Sequence, residues 1–269
     1  MICFYLGTHQ PSWLATVTVP LFVSHRRLAG RRTLPARART GFAKTLSAPW
    51  ALDSGGFSEL SMFGEWRTTP AEYVAAVARY DREIGHLDWA APQDWMVEPQ
   101  ILARTGLTVA EHQARTVRNY LDLRDRWTTV SDAECPFMPV LQGWTYDDYH
   151  RHVDAYQAAG VDLAAQHLVG LGSVCRRQGT GLVAALVSSL SPWLALHAFG
   201  VKTTGLSGYG DAVETADSMA WSAAGRHRPG CAPGHKNEAN CLRFALSWRA
   251  DVIARVGGTD QLDLLARTA

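Results

Sequence analysis

The 269-residue chain, 47% hydrophobic and 19% charged with a formal net charge of +1, carries enough apolar sequence for a full core and is not a disordered chain. It has no stretch approaching about 18 consecutive apolar residues, so no membrane span is expected, and the start Met1-Ile2-Cys3-Phe4-Tyr5-Leu6 lacks the basic region and cleavage site of a signal peptide. Five scattered cysteines (Cys3, Cys135, Cys175, Cys231 and Cys241) speak against a disulfide framework and for a reducing, cytoplasmic location.

The charge is unevenly distributed. No Asp or Glu precedes Asp53, whereas Arg26, Arg27, Arg31, Arg32, Arg37, Arg39 and Lys44 all do, which leaves the rest of the chain net acidic. A basic segment on a nearly neutral protein has the form of a phosphate-backbone contact. Arginines folded against acidic helices would give the same pattern.

In chain order, Ile2–Leu6, Leu21–Ser24, Trp50–Asp53 and Leu87–Ala91 are short apolar or β-branched runs of strand length. Before the fourth run, Thr69-Pro70-Ala71-Glu72 forms a capping box, in which the Thr side chain caps a helix start and the acid reaches back. A second box, Thr108-Val109-Ala110-Glu111, precedes the fifth run, Phe137–Leu141. Thr145-Tyr146-Asp147-Asp148 opens a third helix, ended by Gly160. The runs His167–Gly170, Ala195–Phe199 and Ser218–Trp221 complete eight strands, with a helix expected over Gly181–Leu190. A last helix from about Cys241 to Val256 places Leu242, Phe244, Ala245, Trp248, Val252 and Ile253 on one side. Strands alternating with helices imply a parallel sheet with crossover helices, and eight is the strand number of a (βα)8 TIM-like barrel. The expected fold is therefore α/β: one barrel domain over 1–269, with a small Cys/His-containing segment and closing helix at 226–256.

A barrel works from the C-terminal ends of its strands, so the polar residues after each run are the candidates for chemistry. They are Asp53-Ser54-Gly55-Gly56-Phe57, Gln93-Asp94, Gln142-Gly143, Gly170-Leu171-Gly172 and Gly200, to which Asp217-Ser218, where the eighth run begins, is added. Each alone reads as an ordinary turn. Six in register with six strand ends indicate a site.

This ordered set resembles the tRNA-guanine transglycosylase superfamily, whose hallmark Asp-Ser-Gly-Gly-aromatic turn stands here as Asp53 to Phe57. Val140-Leu141-Gln142-Gly143, Val169-Gly170-Leu171-Gly172 and Phe199-Gly200-Val201 are similar to its Val-Gln-Gly, Gly-Gly-Leu and Met-Gly-Val segments, and Asp217-Ser218-Met219-Ala220-Trp221 is similar to its nucleophile segment. The resemblance implies Asp217 as the nucleophile at the anomeric carbon and Asp53 as general acid/base. It also implies a base pocket of Ser54, Phe57, Asp94, Gln142, Gly170, Leu171 and Phe199. In that pocket Asp94 accepts from the guanine ring NH and amine, Gln142 and the Gly170 amide donate to its carbonyl, and Phe57 and Phe199 stack on its faces. Such a donor and acceptor set selects guanine or a 7-deazaguanine such as 7-cyano-7-deazaguanine over adenine.

Some residues depart from the family pattern. Ser58 stands where the family has Gln, and a shifted alignment would put Ala220 at the nucleophile position; Ser218 and Trp221 match only with Asp217 there. The superfamily's long zinc motif is absent, but Cys231, His235 and Cys241 lie close together and could bind structural Zn2+ with Glu238 or His227 as fourth ligand. The chain ends one helix after Cys241, without room for the RNA-binding domain of the archaeal tRNA enzymes, and so looks most like the compact DNA-guanine transglycosylases of the DpdA type. That resemblance implies exchange of guanine in DNA for a 7-deazaguanine, with Arg26, Arg27, Arg31 and Arg32 on the phosphates flanking an extracted base, and a homodimer as the candidate assembly. The alternatives are a transglycosylase acting on tRNA, a noncatalytic nucleic-acid-binding subunit, and a metabolic barrel that binds phosphate at its glycines.

Overall fold

The computed structural model describes residues 2–40, 45–46, 48–175, 177, 181–201 and 203–256. Strand β1 (Cys3–Thr8) leads through a 3-10 turn (Pro11–Ala15) to β2 (Leu21–Ser24) and the one-turn helix α1 (His25–Leu28). A short antiparallel pair, β3 (Arg39–Thr40) and β4 (Thr45–Leu46), precedes β5 (Trp50–Asp53), α2 (Gly56–Phe63) and α3 (Pro70–Ile84). There follow β6 (Leu87–Ala90), α4 (Pro99–Thr105), α5 (Val109–Val130), β7 (Val140–Leu141), α6 (Tyr146–Ala158), β8 (Val169–Leu171) and α7 (Gly181–Leu190). The chain then runs through β9 (Leu196–Ala198), α8 (Thr203–Tyr209), β10 (Thr215–Ser218), α9 (Ala220–Gly225) and α10 (Leu242–Arg255).

Eight strands form one parallel sheet in the order β6-β5-β2-β1-β10-β9-β8-β7. The sheet curls until its two ends meet, and among the described residues they are joined by a single parallel bridge between Ala90 and Phe137, with Ala90 N–H donating to Pro136 O at 2.7 Å and Met138 N–H to Ala90 O at 3.3 Å. The expected α/β architecture with eight parallel strands is present as a curled sheet that is not fully closed, and the fifth strand, expected over Phe137–Leu141, covers only Val140–Leu141. Pro136 and Pro139 bracket Phe137 and Met138, and a proline has no N–H for a ladder, so β7 is reduced to two residues.

All three capping boxes form, at Thr69/Glu72, Thr108/Glu111 and Thr145/Asp148. Gly160 takes a left-handed φ of 77° immediately after the last helical turn it was expected to end. Helix α7 has the expected bounds. The last strand does not. It runs Thr215–Ser218 rather than Ser218–Trp221, because Ser218 Oγ accepts from Ala220 N–H at 3.2 Å and turns the chain into α9. Asp217 therefore lies on the strand instead of before it.

Tyr5, Ala51, Trp89, Met138, Val140 and Leu168 fill the inside of the curl, while a larger apolar layer lies between its outside and the helices. Two buried arginines tie loops and helix to the sheet by donating to backbone carbonyls. Arg249 of α10 reaches Phe4 O at 3.0 Å. Arg37 donates to Leu14, Val17, Val19 and Ala48. No helix among the described residues is long and apolar enough to cross a membrane.

Candidate active site

The C-terminal strand ends surround a cavity of about 290 Å3 whose lining includes Asp53, Asp94, Gln142, Asp217, Phe57 and Phe199, with Ser54 beside them. A larger cavity of about 500 Å3 lies at the other end of the sheet, where β6 begins at Leu87 and Asp88. It occupies the end that in α/β sheets carries stability rather than chemistry.

Asp53 ends β5, and its Oδ1 accepts from the Gly55 N–H at 3.0 Å. Burial pushes the Asp53 carboxyl above the ordinary carboxylate range; the Gly55 amide and Ser24 hydroxyl oppose that shift, and the neighbouring Asp217 charge adds to it. Asp217 is 5% exposed. Its Oδ1 takes two contacts, from the Gly200 N–H at 2.9 Å and from His197 Nε2 at 3.3 Å. Gly200 presents that amide from a left-handed φ of 60°, which a glycine adopts without strain.

Asp94 and Gln142 meet directly, Nε2 donating to Asp94 Oδ2 at 2.5 Å. Desolvation raises the Asp94 carboxyl to about 7, against the pull of the Gln142 hydrogen bond. The other end of the Gln142 amide, Oε1, accepts from Ser173 Oγ at 2.7 Å, and Ser173 also lies 3.0 Å from Glu98 Oε2. Gly172 makes this arrangement fit, since a Cβ there would stand 2.1 Å from Gln142 Nε2.

Two expected base contacts are corrected. The Gly170 N–H donates to Pro139 O at 2.9 Å within the sheet, which leaves it no hydrogen for a ligand, and Leu171 is buried in the outer apolar layer. Neither lines the cavity; Gly172 and Ser173, one and two residues beyond Leu171, do. Of the aromatic pair, Phe57 is 45% exposed on α2, whereas Phe199 packs inside the curl against His197, with ring centroids 4.5 Å apart.

The arginines divide into different roles. Arg27, Arg31 and Arg32 are exposed, and Arg27 and Arg31 line a groove with His9 and Asn240. Arg26 reaches the same groove but is paired with Glu59 at 2.9 Å. Arg37, counted among the basic residues of the segment, is buried on carbonyls and has no surface role. The Arg39 side chain and Lys44 lie outside the described residues.

Cys231, His235, Glu238 and Cys241 bring four ligand atoms within 4.8 Å of one another, whereas His227 is not in the group. The two sulfurs are 3.5 Å apart, and Glu238 Oε2 is buried without a hydrogen-bond partner. An orphaned carboxylate oxygen facing two thiols and an imidazole is a donor set suited to a tetrahedral divalent ion.

The residues that sequence reasoning missed are His197, Thr215, Ser173 and Glu98. His197 alone left a signal: it stands two residues before Phe199, so strand alternation puts both on the inner face. An eight-stranded parallel sheet with Asp53, Asp94 and Asp217 gathered around a cavity at its C-terminal strand ends places the chain among α/β proteins with a candidate site in the position where such sheets carry chemistry. More particularly, the chain belongs to the DpdA family, DeoxyPurine in DNA protein A, whose family model matches residues 2–267. DpdA is a transglycosylase family, which makes the chain a pentosyltransferase-type enzyme of 7-deazaguanine DNA modification. No curated protein matches the chain.

Proposed function

We propose that this protein replaces guanine in DNA by a free 7-deazaguanine base through an ester between Asp217 and C1′ of the target deoxyribose. The observation that carries the reading is the convergence of Asp53, Asp94 and Asp217 on one cavity bracketed by Phe57 and Phe199. In the first displacement an Asp217 oxygen attacks C1′, the C1′–N9 bond breaks, and its electron pair leaves with guanine, which takes a proton from Asp53. In the second, Asp53 removes the N9 proton of the incoming base, whose N9 then attacks C1′ and expels Asp217. No redox partner is needed. The raised Asp53 carboxyl suits it to hold the proton that the first step consumes.

Asp94 selects the base edge, accepting from the ring NH and amine, and Gln142 exchanges its present hydrogen bond to Asp94 for one to the base carbonyl. The curled sheet is read as a (βα)8 barrel with a seam at Ala90–Phe137, one domain over 1–269. Zn2+ would be held by Cys231, His235, Glu238 and Cys241, where it would pin the turn before α10; it takes no part in the exchange. The test is incubation with labelled guanine and separate DNA and tRNA pools. Label in DNA is expected. Label in tRNA alone would move the substrate to RNA, and label in neither would overturn the exchange.

A further inference from the structure

Parallel pairing of β9 with β10 sets His197 opposite Thr215, and Asp217 follows Thr215 by two positions on the same face of its strand. His197 is fully buried, with Nδ1 2.7 Å from Thr215 Oγ1 and Nε2 3.3 Å from Asp217 Oδ1. Its ring is walled in by Trp89 and Phe199, with centroids at 4.4 and 4.5 Å, and by Phe22 and Tyr5 further out. A ring packed this way cannot swing off the carboxylate without displacing the aromatic core. Burial holds the imidazole below its ordinary range, opposed only by Asp217, so it carries a single N–H. A carboxylate only accepts, so the contact with Asp217 calls for the N–H on Nε2, which leaves Nδ1 to accept from the Thr215 hydroxyl; that second bond holds the ring in this orientation.

We infer that His197 is the positioning residue of the nucleophile: with the Gly200 amide it engages Oδ1 of Asp217 and so assigns Oδ2 as the oxygen that attacks C1′. This rests on the covalent reading given above. Oδ2 has no hydrogen-bond partner among the described residues, and Asp217 lines the cavity. On attack, Oδ2 forms the bond to C1′ and Oδ1 becomes the ester carbonyl. When the incoming base displaces the ester, the electron pair returns with Oδ2 and the charge spreads onto Oδ1, where two donors wait in place. Donors that favour the carboxylate over the ester assist the second displacement more than the first.

The test compares wild type with His197→Gln, His197→Leu and Thr215→Val, the glutamine amide being able to place an N–H near the position of Nε2. Rapid mixing with DNA measures adduct formation, excess free guanine then measures adduct resolution, and equilibrium binding of guanine is followed separately. His197→Leu is expected to bind guanine within about twofold of wild type while resolving the adduct about 10- to 100-fold more slowly, so that ester accumulates. His197→Gln should recover most of that loss. Thr215→Val, a near-isosteric change, should slow resolution in the same sense by a smaller factor, and it carries the test if His197→Leu does not fold. Wild-type resolution in Thr215→Val, or a His197→Gln no faster than a folded His197→Leu, would overturn the proposal. Absence of any adduct or exchange in wild type would instead overturn the covalent reading beneath it.

Discussion

If Asp94 reads the base as proposed, it is the group through which pH would reach recognition. Only the ionised carboxylate accepts from two donors on guanine, and burial has moved its protonation to about 7. Calorimetric titration with guanine should therefore show affinity that is flat above about pH 7 and weakens towards tenfold per unit below it; a flat profile throughout would remove Asp94 from recognition. The same shift has a stability sign. A carboxyl whose folded value lies above its unfolded value of about 3.9 weighs against the fold increasingly as pH rises towards about 7, and fully above it. Asp94→Asn should thus raise the melting temperature at about pH 8, by at most about 4 kcal/mol of stability, and leave it unchanged near pH 4. Gly172→Ala is expected to push Gln142 off Asp94 and weaken guanine binding by about tenfold or more with the fold retained. The roles proposed for Asp217 and Asp53 separate by chemistry. Asp217→Asn should abolish both exchange and the denaturation-resistant protein–DNA adduct, whereas Asp53→Asn should slow exchange yet still permit slow trapping. An adduct that maps to Asp53 would reverse these assignments.

Other helices and turns support the candidate site from outside its cavity. The Thr69/Glu72 box closes the start of α3, whose Tyr73 hydroxyl donates to Ala91 O at 2.8 Å beneath the loop that carries Asp94. Thr69→Ala should cost about 1 kcal/mol of stability, seen as a lower melting temperature, with guanine affinity unchanged. Cys231 and His235 are exposed and the turn before α10 has few buried apolar residues, so on the proposed zinc reading the ligand set would hold this turn. Elemental analysis should find about one zinc per chain, and Cys231→Ser should lose both the metal and thermal stability. A metal-free preparation of equal stability would show that hydrogen bonds alone hold this turn.

At the scale of the whole molecule, the proposed function asks a nearly neutral protein to hold a polyanion, and the exposed arginines of the N-terminal segment are the residues proposed to do so. Arg27 and Arg31 line one groove, and Arg32 lies next to Arg31 on the same exposed loop. Reversing Arg31 and Arg32 to Glu should weaken DNA binding and reduce its dependence on log salt by about two, since each phosphate contact contributes a slope of about 0.9. Guanine binding should stay intact. Unchanged DNA affinity and slope would return these residues to ordinary surface.

The amino-acid sequence by itself determined what is local. Capping boxes, the helix over Gly181–Leu190, seven of the strand positions and the Asp-Ser-Gly-Gly turn are legible because each is specified by neighbours within a few residues. Tertiary structure decided whatever depends on pairing between distant segments. Ladder bonding consumed the Gly170 amide, flanking prolines left the sheet with a seam, and burial turned Arg37 from a surface cation into a clamp on four carbonyls. His197 came to Asp217 only through the register of β9 on β10, 20 residues apart in sequence. A histidine within a strand reads as core until the partner strand is known, because its meaning lies in what the sheet sets beside it.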